Sequence, residues 1–131
     1  MVRIEQRLPS VPEYMALRSA AGWRVPSAED CSRALDGTRL AVCAVDGDET
    51  IGMGRLVSDG ALYLFIVDVI VNPERQGHGI GSSVLRELET LAARESATGI
   101  VNLVAGRDVI AFYEHLGYKA TDSSFMVKRL R

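Results

Sequence analysis

Read for the spacing of its apolar residues, the chain changes period repeatedly, and each change marks an element. A short strand is predicted near Val2 to Arg7. Ser10 and Glu13 then stand in the S-x-x-E spacing of a capping box ahead of "YMALRSAAGW", with Pro12 early and Gly22 placed to stop a first helix. Ser27 and Asp30 repeat that spacing ahead of "CSRALDG", a second short helix ending at Gly37. From Leu40 three β-rich runs follow, divided by turn residues at Asp46-Gly47 and Asp59-Gly60, which predicts an antiparallel meander. The third run, Leu62 to Val71, is nearly all apolar and reads as a strand covered on both faces in the middle of a sheet.

Beyond that run the period becomes helical. Ile80, Val84, Leu88 and Leu91 fall on one stripe, with Leu85 beside it. "IVNLVAG" predicts another buried strand, "DVIAFYEHLG" a short helix with Asp108 as N-cap and Gly117 as its stop, and "FMVKRL" a last strand. The order is βααβββαβαβ. A strand-helix-strand unit after a meander implies an α/β fold with a mixed central sheet and helices on both faces. No repeat or linker-like tract divides the chain, so residues 1–131 are read as a single domain.

Composition narrows the chemistry. Fifteen Lys and Arg against seventeen Asp and Glu give no general field for nucleic acid or an anionic membrane, and a small neutral or cationic partner fits better. Cys31 and Cys43 lie far from any C-x-x-C spacing and there are only two histidines, so no metal is expected. The first ten residues lack an apolar signal core, and no run approaches the ~20 apolar residues of a membrane span. The expectation is a soluble cytoplasmic protein with reduced thiols.

The strongest local signal lies in "VDVIVNPERQGHGIGSSVLRELE", where an apolar strand meets glycines at 77, 79 and 81 and then a helix. Glycines at such a junction allow close backbone approach, and the free N–H groups of the helix's first turn attract phosphate. A G-x-G-x-x-G fingerprint fails because Ser82 takes the third glycine's place, and no G-x-x-x-x-G-K-[ST] run exists. The spacing Gln76-x-x-Gly79-x-Gly81 instead resembles the acetyl-CoA pyrophosphate loop of the GCN5-related N-acetyltransferase (GNAT) family. About 30 residues on, "AFYEHLGY" is similar to that family's short C-terminal helix with its F-Y-E-x-x-G-[FY] signature. The family's usual Asn seven residues before the Tyr is Gly106 here.

The resemblance implies an acetyl-CoA-dependent transfer to a primary amine, by direct attack in a ternary complex. Backbone groups of Val69, Ile70 and Val71 would pair with the pantetheine arm as with a strand, and Gln76, Gly77, His78, Gly79, Ile80 and Gly81 would hold the pyrophosphate. His78 is read as contributing its backbone more than its imidazole, and Val69 and Ile70 also suit ordinary core. Tyr113 would protonate the departing thiolate; a buried structural tyrosine is the competing reading. The family often dimerises, so a homodimer is allowed.

Asp68 is the one charge inside the long apolar strand, a costly position unless it meets a partner or a cleft. It is either a carboxylate satisfied by a neighbouring backbone group or Arg, or a site residue. An alkylamine with a pKa near ~10.4 gives it a task, to hold the cation and accept its proton. Trp23 and Tyr14 would wall the acceptor pocket or belong to the core. The expected acceptor is a small-molecule amine. Alternatives are a non-catalytic acyl-CoA-binding regulatory module, a protein N-terminal or lysine acetyltransferase, and a nucleotide-binding domain.

Overall fold

Two side-chain caps start the two N-terminal helices where the sequence places them. In the computed structural model, which describes residues 1–131, β1 (Val2–Glu5) leads to α1 (Val11–Ala20), whose N-cap Ser10 accepts from the Glu13 N–H while Glu13 accepts from the Ser10 N–H. Ser27 accepts from the Asp30 N–H at the start of α2 (Ala28–Asp36). The meander is β2 (Leu40–Asp46), β3 (Glu49–Ser58) and β4 (Leu64–Val71). A 3₁₀ turn at Pro73–Arg75 precedes α3 (Ile80–Glu95); β5 (Asn102–Leu103), a second 3₁₀ turn at Arg107–Val109 and α4 (Ile110–His115) complete the elements.

The sheet runs β1-β2-β3-β4-β5, antiparallel through β4 and parallel between β4 and β5. It is a mixed sheet with helices on both faces, as expected. On one face α3 lays Ile80, Val84, Leu85, Leu88 and Leu91 over Val42, Ala44, Leu56 and Ile66, with Tyr113, Leu116 and Tyr118 packed beside them. On the other, Tyr14 and Leu17 of α1 and Cys31 and Leu35 of α2 cover Cys43, Val45, Met53 and Ile70. Close approach of α3 to β3 needs Gly54, where a Cβ would stand 2.6 Å from Leu88 Cδ1.

Four expectations differ. The buried strand expected over residues 100–106 is only Asn102–Leu103, neither of them buried, because pairing with β4 is limited to Phe65 and Ile66. Leu62 and Tyr63 stay outside β4, because the Asp59 carboxylate accepts the N–H groups of Ala61, Leu62 and Tyr63 and closes a turn there. Asp108 sits inside the 3₁₀ turn, and α4 has no side-chain cap. The last strand is absent: residues 125–130 adopt no regular structure and pair with nothing in the chain. No helix is long and apolar enough to cross a membrane.

The α1 cap is tied into the sheet. Glu13 takes two Arg7 guanidinium nitrogens at 3.0 and 3.2 Å, the Ser10 N–H at 2.7 Å, and the Thr50 hydroxyl of β3. The Arg7 hydrogen bonds lead in lowering its carboxyl from the usual 4.5 to about 2, against the opposing effect of burial. A depressed folded value means this stabilisation is complete above pH 4.5 and is lost as pH falls through about 2. Glu13→Gln is expected to cost about 1–2 kcal/mol at neutral pH, and urea unfolding at stepped pH should show the gap to the parent protein narrowing toward acid. A gap unchanged between pH 7 and pH 3 would show that the ionised carboxylate is not its source.

Candidate active site

β4 carries one residue too many for its partner. Met53 faces Ile70 and Arg55 faces Val67, so Gly54 alone stands opposite both Asp68 and Val69. This is a β-bulge, and Asp68 takes the left-handed conformation, φ 53°, the one non-glycine residue in the chain with positive φ. On the other side, pairing with β5 ends at Ile66 and Leu103. Val69 therefore has no strand partner on either side, and the backbone from Val67 to Val71 fronts open space.

That space is a cleft of about 610 Å³. One wall is Val67, Asp68, Val69 and Val71 of β4; the next is Gln76, Gly77, Gly79 and the first turn of α3; Leu103, Val104 and Gly106 lie opposite, with Phe112 and Tyr113 of α4. Trp23 closes one end. Gly77 and Gly79 both need positive φ, 86° and 75°, to turn the chain into the helix. Gly81 serves a different purpose, since a Cβ there would stand 3.3 Å from Phe112 Cζ; its absence lets the α4 ring approach the first turn of α3. No side chain caps α3 and no acid lies in its first turn. The N–H groups of that turn thus face the cleft without a protein acceptor, as a bound phosphate requires. Gln76 Nε2 donates to the Val71 carbonyl at 3.3 Å and links the loop to the strand end.

Tyr113 stands edge-on to Phe112 at 5.0 Å and to Tyr118 at 5.7 Å. Burial pushes its phenol above the ordinary tyrosine value, so it stays protonated through the neutral range. Its hydroxyl bonds to nothing in the chain, and no buried side-chain polar atom lacks a partner, so the hydroxyl opens to the cleft. Tyr118 donates to Glu89 at 2.6 Å and pins the end of α4 to α3.

Asp68 meets partners as well as the cleft. Arg55 Nε donates to it at 2.7 Å, the Tyr14 hydroxyl at 2.5 Å and Arg18 at 3.2 Å. Arg55 reaches on to the Ala34 carbonyl and the Thr38 hydroxyl, while the Arg18 guanidinium lies over the Tyr14 and Trp23 rings. Neither arginine stood out in the sequence; an arginine in mid-strand on β3, paired in register beside a charged β4, was the available signal. Both oxygens of Asp68 are thus held by arginine and tyrosine, while the residue itself lines the cleft.

Of the other expected residues, Val69, Val71, Gln76, Gly77, Gly79, Ile80 and Gly81 share the cleft wall. Ile70 does not: its side chain is core beneath α1 and α2, so only its backbone can meet a ligand. His78 points instead toward a separate depression with Val2, Ile4 and Arg75. Arg75 is paired with Asp46 at 2.7 Å and Glu49 at 3.4 Å, and so pins the loop to the β2–β3 turn. Tyr14 is core and Trp23 is cleft wall. Cys43 is buried, its thiol pushed up to about 11 chiefly by desolvation, and Cys31 is buried as well.

Comparisons with known proteins point the same way. A probable acetyltransferase from meticillin-resistant Staphylococcus aureus superposes with a TM-score of 0.90 at 29% identity, over 98% of this chain and 99% of that one. A GNAT family acetyltransferase from Streptococcus pneumoniae gives 0.85 at 29% identity, over 100% and 99%. The chloroplastic GCN5-related N-acetyltransferase 2 of Arabidopsis thaliana is 33% identical over 107 residues; these are 82% of this chain but 39% of that longer protein. The profile of the acetyltransferase (GNAT) family matches residues 8–118. The chain, with its bulged β4, glycine loop and open Tyr113, belongs to the GNAT acetyltransferase family.

Proposed function

We propose that the protein transfers the acetyl group of acetyl-CoA to the primary amine of a small molecule, by direct attack in a ternary complex. The observation that carries this reading is that one cleft joins three features: a strand edge freed by a bulge, an uncapped helix start, and a phenol without a partner. The Val67–Val71 edge matches the two amides of a pantetheine arm, and the first turn of α3 matches its pyrophosphate. The Val69 N–H, freed by the bulge, supports the thioester oxygen as it gains charge. Tyr113 gives its proton to the departing sulfur, whose conjugate acid lies near ~8.5, well below the phenol.

Asp68 takes a different part from the one its isolation in the sequence implied. Its carboxylate is engaged by two guanidinium groups and the Tyr14 hydroxyl. We assign it to positioning: the carboxylate holds the left-handed turn of the bulge, and with it the Val69 N–H. The acceptor amine then loses its proton to water in the open cleft. The governing test is thiol release from acetyl-CoA with a panel of small amines and with lysine-bearing peptides. Absence of release with every amine and peptide would favour a binding module, and release with peptides alone a protein acceptor.

Three variants divide the roles. Gly79→Glu places strain and negative charge at the helix start, and calorimetry should show CoA affinity reduced about tenfold or more; unchanged affinity would remove the loop from the site. Tyr113→Phe should lower turnover about 10²-fold while leaving acetyl-CoA affinity intact. In the parent protein, turnover should hold until pH passes above the ordinary tyrosine range, because burial raises that phenol. A loss of less than about threefold, with chemistry limiting, would return Tyr113 to packing. Asp68→Asn should lower kcat and stability together yet leave the rising acid limb of the pH profile in place. A displaced limb would make Asp68 the base after all.

A further inference from the structure

Charge at one end of the cleft is unbalanced. The glycine loop lies beyond the Val71 end of the opened strand, so a pantetheine arm laid along β4 from there brings its thioester to Val69 and leaves the end walled by Asp68 and Trp23 to the acceptor. Among the residues that line the cleft, Asp68 is the one whose side chain is charged at neutral pH. Its single negative charge is met by two guanidinium groups, Arg55 at 2.7 Å and Arg18 at 3.2 Å. Arginine keeps its proton throughout the working pH range, so the three side chains together hold one surplus positive charge. Their remaining partners are all uncharged: the Ala34 carbonyl and Thr38 hydroxyl for Arg55, the Arg24 carbonyl and Tyr14 hydroxyl for Arg18.

Arg18 also has a donor to spare. Its Nε and Nη1 are engaged, and its Nη2 makes no hydrogen bond within the chain. No buried side-chain nitrogen lacks a partner, so this Nη2 is open to solvent. The guanidinium lies over the Trp23 ring, 5.4 Å from its centroid. Arg18 thus stands between two residues of the cleft wall, bonded to Asp68 and stacked on Trp23. Arg24, next to Trp23, is exposed and adds charge of the same sign.

That balance selects among amines. A polyamine or a plain alkylammonium brought to this end meets like charge, and no second carboxylate lines the cleft to hold it. An amine that carries a carboxylate or a phosphate meets an arginine with an unfilled donor, and a carboxylate bound there brings the cluster to neutrality. The Trp23 ring beneath the guanidinium keeps that donor in place.

We infer that the acceptor is a small amine bearing its own acid group, an amino acid or an amino phosphate, held by Arg18 at the Trp23 end while its nitrogen reaches the thioester beside Val69. This rests on the acetyl transfer proposed above and names the class of its acceptor. In that transfer the N–C bond forms as the C–S bond breaks, the amine's proton passes to water, and the sulfur takes a proton from Tyr113. Arg18 sets specificity, since it touches the acceptor away from the reacting atoms.

The test is thiol release from acetyl-CoA with matched amines: phenylalanine, phenylalaninamide and phenethylamine; glycine, glycinamide and methylamine; phosphoethanolamine and ethanolamine; with spermidine and a lysine-bearing peptide beside them. In at least one set the acid-bearing member should exceed its counterparts about tenfold or more in kcat/KM. Whether that set holds a carboxylate or the phosphate tells the two acids apart. Arg18→Gln should raise KM for the preferred acid about tenfold while leaving that of its amide or amine counterpart within about twofold, and Arg18→Lys should restore part of the preference. A purely structural arginine would lower kcat for both members alike, so a preference that survives Arg18→Gln overturns the assignment. The comparison within the parent protein decides the acceptor class even if that variant does not fold. Release that is as good or better with the amides, the plain amines, spermidine or the peptide overturns this inference and leaves the transfer reading standing. Release with none of them overturns both.

Discussion

The site depends on one extra residue in β4. A regular strand would have paired Gly54 with a single partner and given up its backbone to β3. The bulge instead puts Asp68 and Val69 opposite that glycine and swings the strand away from β5 after Ile66. A left-handed non-glycine residue costs on the order of 1–3 kcal/mol and persists only where its surroundings over-determine it. Here the surroundings are Arg55, Tyr14 and Arg18, all converging on one carboxylate. α1, α2 and β3 each contribute to that convergence, through Tyr14 and Arg18, through the Ala34 carbonyl, and through Arg55. The two N-terminal helices therefore do more than cover a face of the sheet; they supply the groups that make a strained backbone the stable one.

The glycine loop complements the bulge from the other side. Left-handed turns at 77 and 79 aim the start of α3 at the opened strand, and the missing Cβ at 81 brings Phe112 against the helix. That contact sets where α4 lies, and so where Tyr113 stands. One glycine-rich segment thus fixes two separated components, the anion-binding turn and the phenol. Tyr118, bonded to Glu89 of α3, holds the far end of the same helix.

Much of this was legible beforehand because it is local. Caps at Ser10 and Ser27, the stops at Gly37 and Gly117, the α3 stripe and the glycine loop each depend on residues within a few positions of one another. What escaped was set by distance. The partners of Asp68 lie 13, 50 and 54 positions away, so the sequence showed a charge in an apolar run but not its neutralisation. The bulge was hidden for the same reason: it is a mismatch of register between two strands, and neither strand displays it alone. Ile70 in the strand and His78 in the loop were read by motif as backbone contributors; the side on which each side chain falls is decided by pleat and packing.

The missing last strand differs from these cases. Its sequence has the composition of a strand, and the chain places it where a strand has no partner. Local propensity and tertiary structure usually agree in a natural protein, since sequences that conflict with their folds have been selected against. Here the two part at one apolar segment, because a strand exists only through its partner and residues 125–130 have none in the chain.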